Sequence, residues 1–300
     1  MAAETQSALR MTPLTDRFGV EIAGVDLRDV TATHLYPEIR AAFETQSLLL
    51  FRHQSLGDTD HLRLAALFGP IEDRASDERT KDQAFEVPRV SNVQADGTVS
   101  GEMDLHTLNL KSNQLWHTDS TFLPVPALAN IITARIVPSQ GGETEIASTR
   151  AAWQDMPDAL REQARNAVLW HRYSHSRARL SAELAAMAMF QKWPDRAWPA
   201  MWTNPVTGED AVYVASHAFR VDGMEQAEGS ALIDALIEFC TRPSYVYSHC
   251  WQVGDLLIWD ERATLHRGTP WPYEEPRVLS SLCVSVTEAD GLGAMRHALG

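Results

Sequence analysis

The spacing of apolar residues changes along this chain, and the change marks out regions of different structure. Residues 18–27 alternate roughly between apolar and polar and contain Gly19 and Gly24, which predicts a strand with a turn. Residues 34–46 place Leu35, Ile39, Ala42 and Phe43 near one face of a helix. A short apolar run at 47–51 predicts a buried strand. A second helix is predicted over 59–68, with Asp58 as its N-cap and Gly69-Pro70 as its stop. From residue 115 onward strands dominate, at 115–122, 129–137, 144–147, 211–215, 245–251, 256–259 and 277–286. Helical patterns at 149–163 and 230–240 interrupt them. Helices first and many strands afterwards suit an α+β chain built on a β-sandwich or jelly-roll core, folded as one domain over 1–300.

Two stretches lack a clear period. Residues 72–83 are rich in charge, and from there to Asn113 only 89–93 resembles a strand, with Asp96-Gly97 as a turn. A long irregular connection inside a compact protein is often a functional lid, so 72–113 is expected to cover a site. Residues 180–203 form an apolar, Ala- and Met-rich insertion, expected to be helical, whose Trp193, Trp198 and Trp202 suit packing or subunit contact.

Composition narrows the possible partners. The 300 residues are 44% hydrophobic and 22% charged, as in an ordinary globular protein. A net charge of −14 repels phosphate backbones and argues against nucleic acid. It leaves room for a small anionic substrate, because a few buried positive charges set the local field. Cys240, Cys250 and Cys283 are odd in number and show no paired spacing, which points to a reducing compartment. The first ten residues are polar and carry no signal-peptide pattern, and the apolar run at 48–51 is far too short to span a bilayer. The expectation is a cytoplasmic protein with no membrane partner, self-associating as a homo-oligomer.

The candidate chemistry starts at His117 and Asp119. Residues two apart on an extended segment point to the same side, so an imidazole and a carboxylate stand together there. With a third ligand they make the 2-His-1-carboxylate triad, which holds Fe(II) on one side and leaves positions open for a bidentate 2-oxo acid and O2. His266 is the best third ligand. The same set also suits catalytic zinc. Arg277, eleven residues after His266, favours iron: a dicarboxylate co-substrate needs a fixed cation for its far end. His171 and His175 are four apart but lack the glutamate spacing of a zinc protease. His106 and Lys111 lie in the expected lid and suit either an anionic substrate or a solvated loop.

Three segments carry a family resemblance. Asn113-Gln114-Leu115-Trp116-His117-Thr118-Asp119-Ser120-Thr121-Phe122 is similar to the metal motif of the taurine dioxygenase/2,4-D dioxygenase (TauD/TfdA) family of Fe(II)/2-oxoglutarate enzymes. Pro138-Ser139-Gln140-Gly141-Gly142-Glu143-Thr144 resembles a second family segment. The third runs from Trp251 through Gly254-Asp255-Leu256 and Trp259-Asp260-x-Arg262 to His266-Arg267-Gly268, and ends at Arg277. The likeness covers nearly the whole chain from Gly24 onward and is nearest the aryloxyalkanoate branch.

The resemblance implies a double-stranded β-helix fold. It implies His117, Asp119 and His266 as iron ligands, with Thr144 and Arg277 on the distal carboxylate of 2-oxoglutarate and Trp259 lining that pocket. Asn113 and His217 fall where relatives meet the prime substrate, and Lys111 joins them as a candidate. The implied reaction turns 2-oxoglutarate into succinate and CO2 while a substrate C–H bond is hydroxylated. An ether carbon so hydroxylated falls apart to a phenol and a 2-oxo acid. A carboxylate at position 119 leaves no vacancy for halide, which argues against a halogenase. A taurine-type sulfonate dioxygenase and a non-enzymatic metal-binding jelly roll remain as alternatives.

One departure bears on the substrate. Four residues beyond the 2-oxoglutarate arginine, the taurine and 2,4-D branches carry a second arginine for the substrate's anionic group. Here that position is Ser281. With Arg277, Leu279 and Cys283 it is expected to face the barrel interior, but a neutral hydroxyl cannot form a charge-assisted pair worth roughly 1.5–3 kcal/mol. Either His106, Lys111 or Arg267 then binds the anion, or the substrate is not bound there as an anion.

Overall fold

The computed structural model describes residues 9–80 and 82–298. Its strands, in chain order, are β1 (Arg10–Pro13), β2 (Val20–Ala23), β3 (Leu48–Phe51), β4 (Arg89–Ser91), β5 (Ala127–Ile136), β6 (Thr144–Ser148), β7 (Val168–His171), β8 (Arg196–Pro199), β9 (Met201–Thr203), β10 (Asp210–Val212), β11 (Ala218–Val221), β12 (Val246–His249), β13 (Leu256–Asp260), β14 (Thr264–Gly268) and β15 (Val278–Ser285). A seven-stranded sheet has the order β1-β2-β3-β13-β5-β15-β4, and a three-stranded sheet the order β12-β6-β14. The two make a jelly-roll core. Ile146 of the small sheet packs with Leu48, Leu50, Ile132, Leu257 and Trp259 of the large one.

The continuous apolar runs follow from burial on both faces. In β3, Leu48 and Leu50 face the small sheet, while Leu49 and Phe51 join an outer core. That outer core includes Ile39, Ala42 and Phe43 of α1 (Tyr36–Gln46) and Leu64, Ala65 and Phe68 of α2 (Asp58–Phe68). Gly57 is the N-cap of α2; Asp58 pairs instead with Arg89 at 2.6 Å. Behind the small sheet, Ala147 and Leu265 pack with Leu232, Ile233 and Leu236 of a long helix at Gln226–Cys240. A further sheet, β11-β7-β8, lies beside them.

The structure departs from the sequence expectations at identifiable points. Residues 115–122 form no regular strand: only a bridge joins His117 to His266, and Ser120 turns the chain away at φ 61°. The helix expected over 149–163 splits at Met156-Pro157 into Thr149–Asp155 and Asp158–Asn166, because proline has no amide to donate. The insertion at 180–203 is helical only in its first half. Past Pro194 it becomes β8 and β9, with β8 pairing to β7, a strand the sequence pattern did not mark. Residues 72–113 hold β4 and a helix at Leu105–Ser112, so the expected lid is only partly irregular. Among the described residues no helix is long and apolar enough to cross a membrane.

Candidate active site

Two carriers bring the three candidate ligands together. β14 pairs with β6, placing His266 opposite Ile146 and Gly268 opposite Thr144. His117 then docks on β14 by reciprocal backbone hydrogen bonds, His117 N to His266 O at 3.0 Å and His266 N to His117 O at 2.8 Å. Thr118 points the other way and donates to the carbonyls of Val214 and Thr264, so His117 and Asp119 share the inner side. The alternation expected of a strand is therefore kept without a strand.

One ligand atom from each of His117, Asp119 and His266 lies within 4.8 Å of the others. Among the described residues this is the one such group of three. Asp119 Oδ1 is 3.8 Å from His117 Nε2, and Oδ2 is 3.7 Å from His266 Nε2. His117 Nδ1 donates to the Leu115 carbonyl at 2.7 Å, which leaves Nε2 with its lone pair facing the carboxylate. Burial pushes the imidazoles of His117 and His266 down, the latter to about 3, so both rings are neutral as a metal requires. Burial disfavours the Asp119 charge, but His266, His117, Arg74 and the Asn130 amide outweigh it and hold the carboxyl below its usual range. Asn130 Nδ2 donates to Asp119 Oδ2 at 2.8 Å. Two neutral imidazoles and one carboxylate, converging with free lone pairs, fit Fe(II).

Glu261 supports this cluster from behind. It is fully buried, accepts Asp119 N–H at 2.9 Å and Trp259 Nε1–H at 2.7 Å, and lies 3.8 Å from His266 Nδ1. Burial, then the neighbouring Asp119 charge, pushes its carboxyl well above the ordinary range.

The triad opens into a cavity of about 390 Å³. Thr144, Trp259, Arg277, Asn113, His217 and Ser281 all line it, as do Leu279 and Cys283, so the inward face expected for 277–283 is observed. Arg277 is 5% exposed, donates through Nε and Nη2 to the Gly142 carbonyl at 3.1 and 2.9 Å, and lies over Trp271. The glycine pair explains this approach. Gly142 sits at φ +70°, and a Cβ there would be 2.9 Å from Arg277 Nε. Burial lowers the Arg277 guanidinium to about 10, still charged at neutral pH. Thr144 Oγ1 accepts Trp251 Nε1–H at 2.9 Å. His217 is buried with Nδ1 unpartnered, and its ring meets His117, Phe122 and Tyr173 edge-on.

Lys111 does not belong to the cavity wall. In the helix at Leu105–Ser112, Asn109 and Leu110 face the cavity, while Lys111 turns to Glu102 at 2.8 Å and to the Tyr273 ring. His106 and Arg267 are likewise engaged elsewhere, with the Ser91 carbonyl and with Glu145. Sequence reasoning missed Arg74, Phe85, Phe122, Tyr173 and Arg177, which also line the cavity. The signal for the last two was the i, i+4 pair Tyr173…Arg177, on the helix Tyr173–Ala178.

Comparison with known proteins agrees with this geometry. A family model described as "Taurine catabolism dioxygenase TauD, TfdA family" matches residues 10–283. The (S)-phenoxypropionate/alpha-ketoglutarate-dioxygenase of Sphingobium herbicidovorans is 31% identical over 280 residues, covering 91% of this chain and 93% of that one. The alpha-ketoglutarate-dependent 2,4-dichlorophenoxyacetate dioxygenase of Cupriavidus pinatubonensis is 32% identical over 270 residues, covering 89% and 94%. The crystal structure of AAD-2 in complex with Mn(II) and N-oxalylglycine superposes with a TM-score of 0.86 at 30% identity, covering 93% of this chain and 98% of that one. With its jelly-roll core and converging His-Asp-His group, the chain belongs to the TauD/TfdA family of Fe(II)- and 2-oxoglutarate-dependent dioxygenases.

Proposed function

We propose that this dioxygenase hydroxylates an aryloxyalkanoate-like carboxylate at its ether carbon, releasing a phenol and a 2-oxo acid. The observation that carries the reading is the cavity itself, lined at once by the triad, by the buried guanidinium of Arg277 and by the stacked rings of Phe122 and Tyr173, 3.9 Å apart. His117, Asp119 and His266 would hold Fe(II). That ion supplies the redox chemistry in which 2-oxoglutarate and O2 give succinate and CO2 and one oxygen atom enters a substrate C–H bond. Arg277 and Thr144 bind the far carboxylate of 2-oxoglutarate, and Trp259 closes that side. Asn113, His217 and Ser281 border the space left for the second substrate. Phe122, Tyr173 and Leu279 exclude water around an aryl group. Residues 72–113 act as the lid, tied down where Lys192 meets Asp77 and Glu78 at 2.7 Å. Three free thiols and the absence of a spanning helix among the described residues support a cytoplasmic setting.

The names of the relatives support the same substrate class, since two of them act on phenoxyalkanoates. A taurine-type sulfonate is small and apolar-poor and makes little use of the aromatic wall. A metal-binding module without activity would have no use for an unneutralised Arg277 beside its metal. The test is succinate and phenol release with phenoxyacetate, both enantiomers of 2-phenoxypropionate, taurine and alkyl sulfates. Phenol formed in step with succinate is expected from an aryloxyalkanoate. Succinate formed only with taurine or an alkyl sulfate overturns the substrate class.

A further inference from the structure

The arginines around the cavity are not alike. Five line it: Arg74, Arg79, Arg89, Arg177 and Arg277. Three of them are neutralised by the protein itself, Arg74 by Glu72, Arg79 by Asp73 and Arg89 by Asp58. Arg277 has no carboxylate within 4.0 Å among the described residues, and the proposed function gives it one from 2-oxoglutarate. Arg177 shares that property, and nothing so far accounts for it.

Arg177 is 7% exposed. Its Nη1 donates to Ser176 Oγ at 2.8 Å, its Nη2 is 3.5 Å from the Tyr173 hydroxyl, and its buried Nε has no partner. The guanidinium lies over Tyr173 at 4.3 Å and over Phe190 at 5.1 Å, so its plane is held by stacking, and each Nη carries a second N–H beyond the one engaged by Ser176 or Tyr173. Burial is the main influence and disfavours its charge, as does Arg74, while Tyr173 and the more distant Asp119 carboxylate favour it; the balance leaves the guanidinium below its usual range. A buried, unneutralised charge is costly for a fold unless an anion completes it. The two unpaired guanidiniums also have different neighbours. Arg277 lies by Gly142 and Trp271, and Arg177 by Tyr173, whose ring meets His217, which in turn meets His117. The two guanidiniums therefore sit in different surroundings within one cavity.

We propose that Arg177, with the Tyr173 hydroxyl beside it, binds the carboxylate of the prime substrate and takes the part that Ser281 cannot play. This rests on the carboxylate substrate class proposed above. Arg177 is then a specificity-determining residue carried on the short helix after β7 rather than on β15. Its planar fork suits a carboxylate in two-point contact, which a lysine reproduces only in part.

The experiment is calorimetric titration of the Fe(II)- and 2-oxoglutarate-loaded protein, without oxygen, using 2-phenoxypropionate and its neutral carboxamide. The native protein is expected to prefer acid to amide. Arg177→Gln should weaken the acid about ten- to hundredfold, the range for a lost charge-assisted contact, and leave the amide within about twofold. Arg177→Lys should fall between, and it carries the test if the glutamine variant does not fold. A variant that keeps the native acid preference, or one that weakens acid and amide equally, overturns the subsite and makes Arg177 a structural residue. A native protein that releases succinate yet binds acid no tighter than amide overturns the subsite alone. A native protein that releases no succinate with any compound in the panel overturns the proposed substrate class and the subsite with it.

Discussion

The two halves of the cavity are built differently. The half proposed to hold 2-oxoglutarate stands on strands: Thr144 opposite Gly268, Trp259 opposite Asn130, Arg277 at the edge of β15 against the Gly141-Gly142 turn. Ladder register fixes Thr144 and Trp259, and a one-residue slip would turn both away from the cavity, while Arg277 is held by Asn92 and the Gly142 carbonyl just before β15 begins. The other half stands on residues 72–90, a helix end at Asn113, and the short helix bearing Tyr173 and Arg177. Side-chain contacts hold those pieces, such as Lys192 on Asp77 and Glu78. The contrast teaches that groups on paired strands are fixed by the sheets, while groups on loops and short helices can change in sequence without disturbing the sheets, which suits a division between shared chemistry and selectivity.

The largest effect that tests this contrast belongs to the seam between the halves. His117→Ala should reduce succinate release to background, because two ligands hold Fe(II) poorly, and bound iron measured after desalting should fall with it. Turnover near the native rate would remove the metal site from this part of the molecule. Next comes Arg277→Ala. It should raise the 2-oxoglutarate KM about ten- to hundredfold while iron content stays near native, since Arg277 contacts the Gly142 carbonyl rather than any ligand. A lost metal with unchanged co-substrate demand would assign the residue to the wrong half. Smaller again is Phe122→Ala, which removes the ring stacked on Tyr173 and leaves Tyr173 and Arg177 in place. The KM for the aryl substrate should rise about threefold to tenfold, in line with the worth of an aromatic pair, with the 2-oxoglutarate KM within about twofold. Equal movement of both constants would mean the halves are not separable.

How far the sequence alone could be read follows the same division. β3, β5 and β13 are legible because burial on both faces makes apolar runs, and the meeting of His117, Asp119, His266, Thr144 and Arg277 at one cavity is legible because their family segments are compact. β14 itself was not marked, since Thr264–Gly268 is short and lacks alternation, although the histidine it carries was found. The second half was largely hidden. Lys111 was expected at the substrate and faces Glu102, because charge alone does not say which side of a helix meets a cavity. Arg177 was passed over, because a guanidinium becomes informative only when its burial and its lack of a carboxylate are both visible. Pairing of charges is a tertiary fact, and no local pattern reports it.

The smallest effect tests the contrast at Ser281, where the resemblance to the taurine and 2,4-D branches would place a second arginine. Ser281 Oγ donates to Asn130 Oδ1 at 2.9 Å, and Asn130 Nδ2 donates in turn to Asp119 Oδ2 at 2.8 Å. The hydroxyl is therefore committed to orienting an amide that steadies a metal ligand. A neutral hydrogen bond of this kind contributes about 0.5–1.5 kcal/mol. Ser281→Ala should then lower iron retention a few fold and leave the prime-substrate KM within about twofold. A tenfold rise in that KM at native iron content would return the substrate's anchor to β15, and the division between a strand-borne half and a loop-borne half would fail at the residue that suggested it.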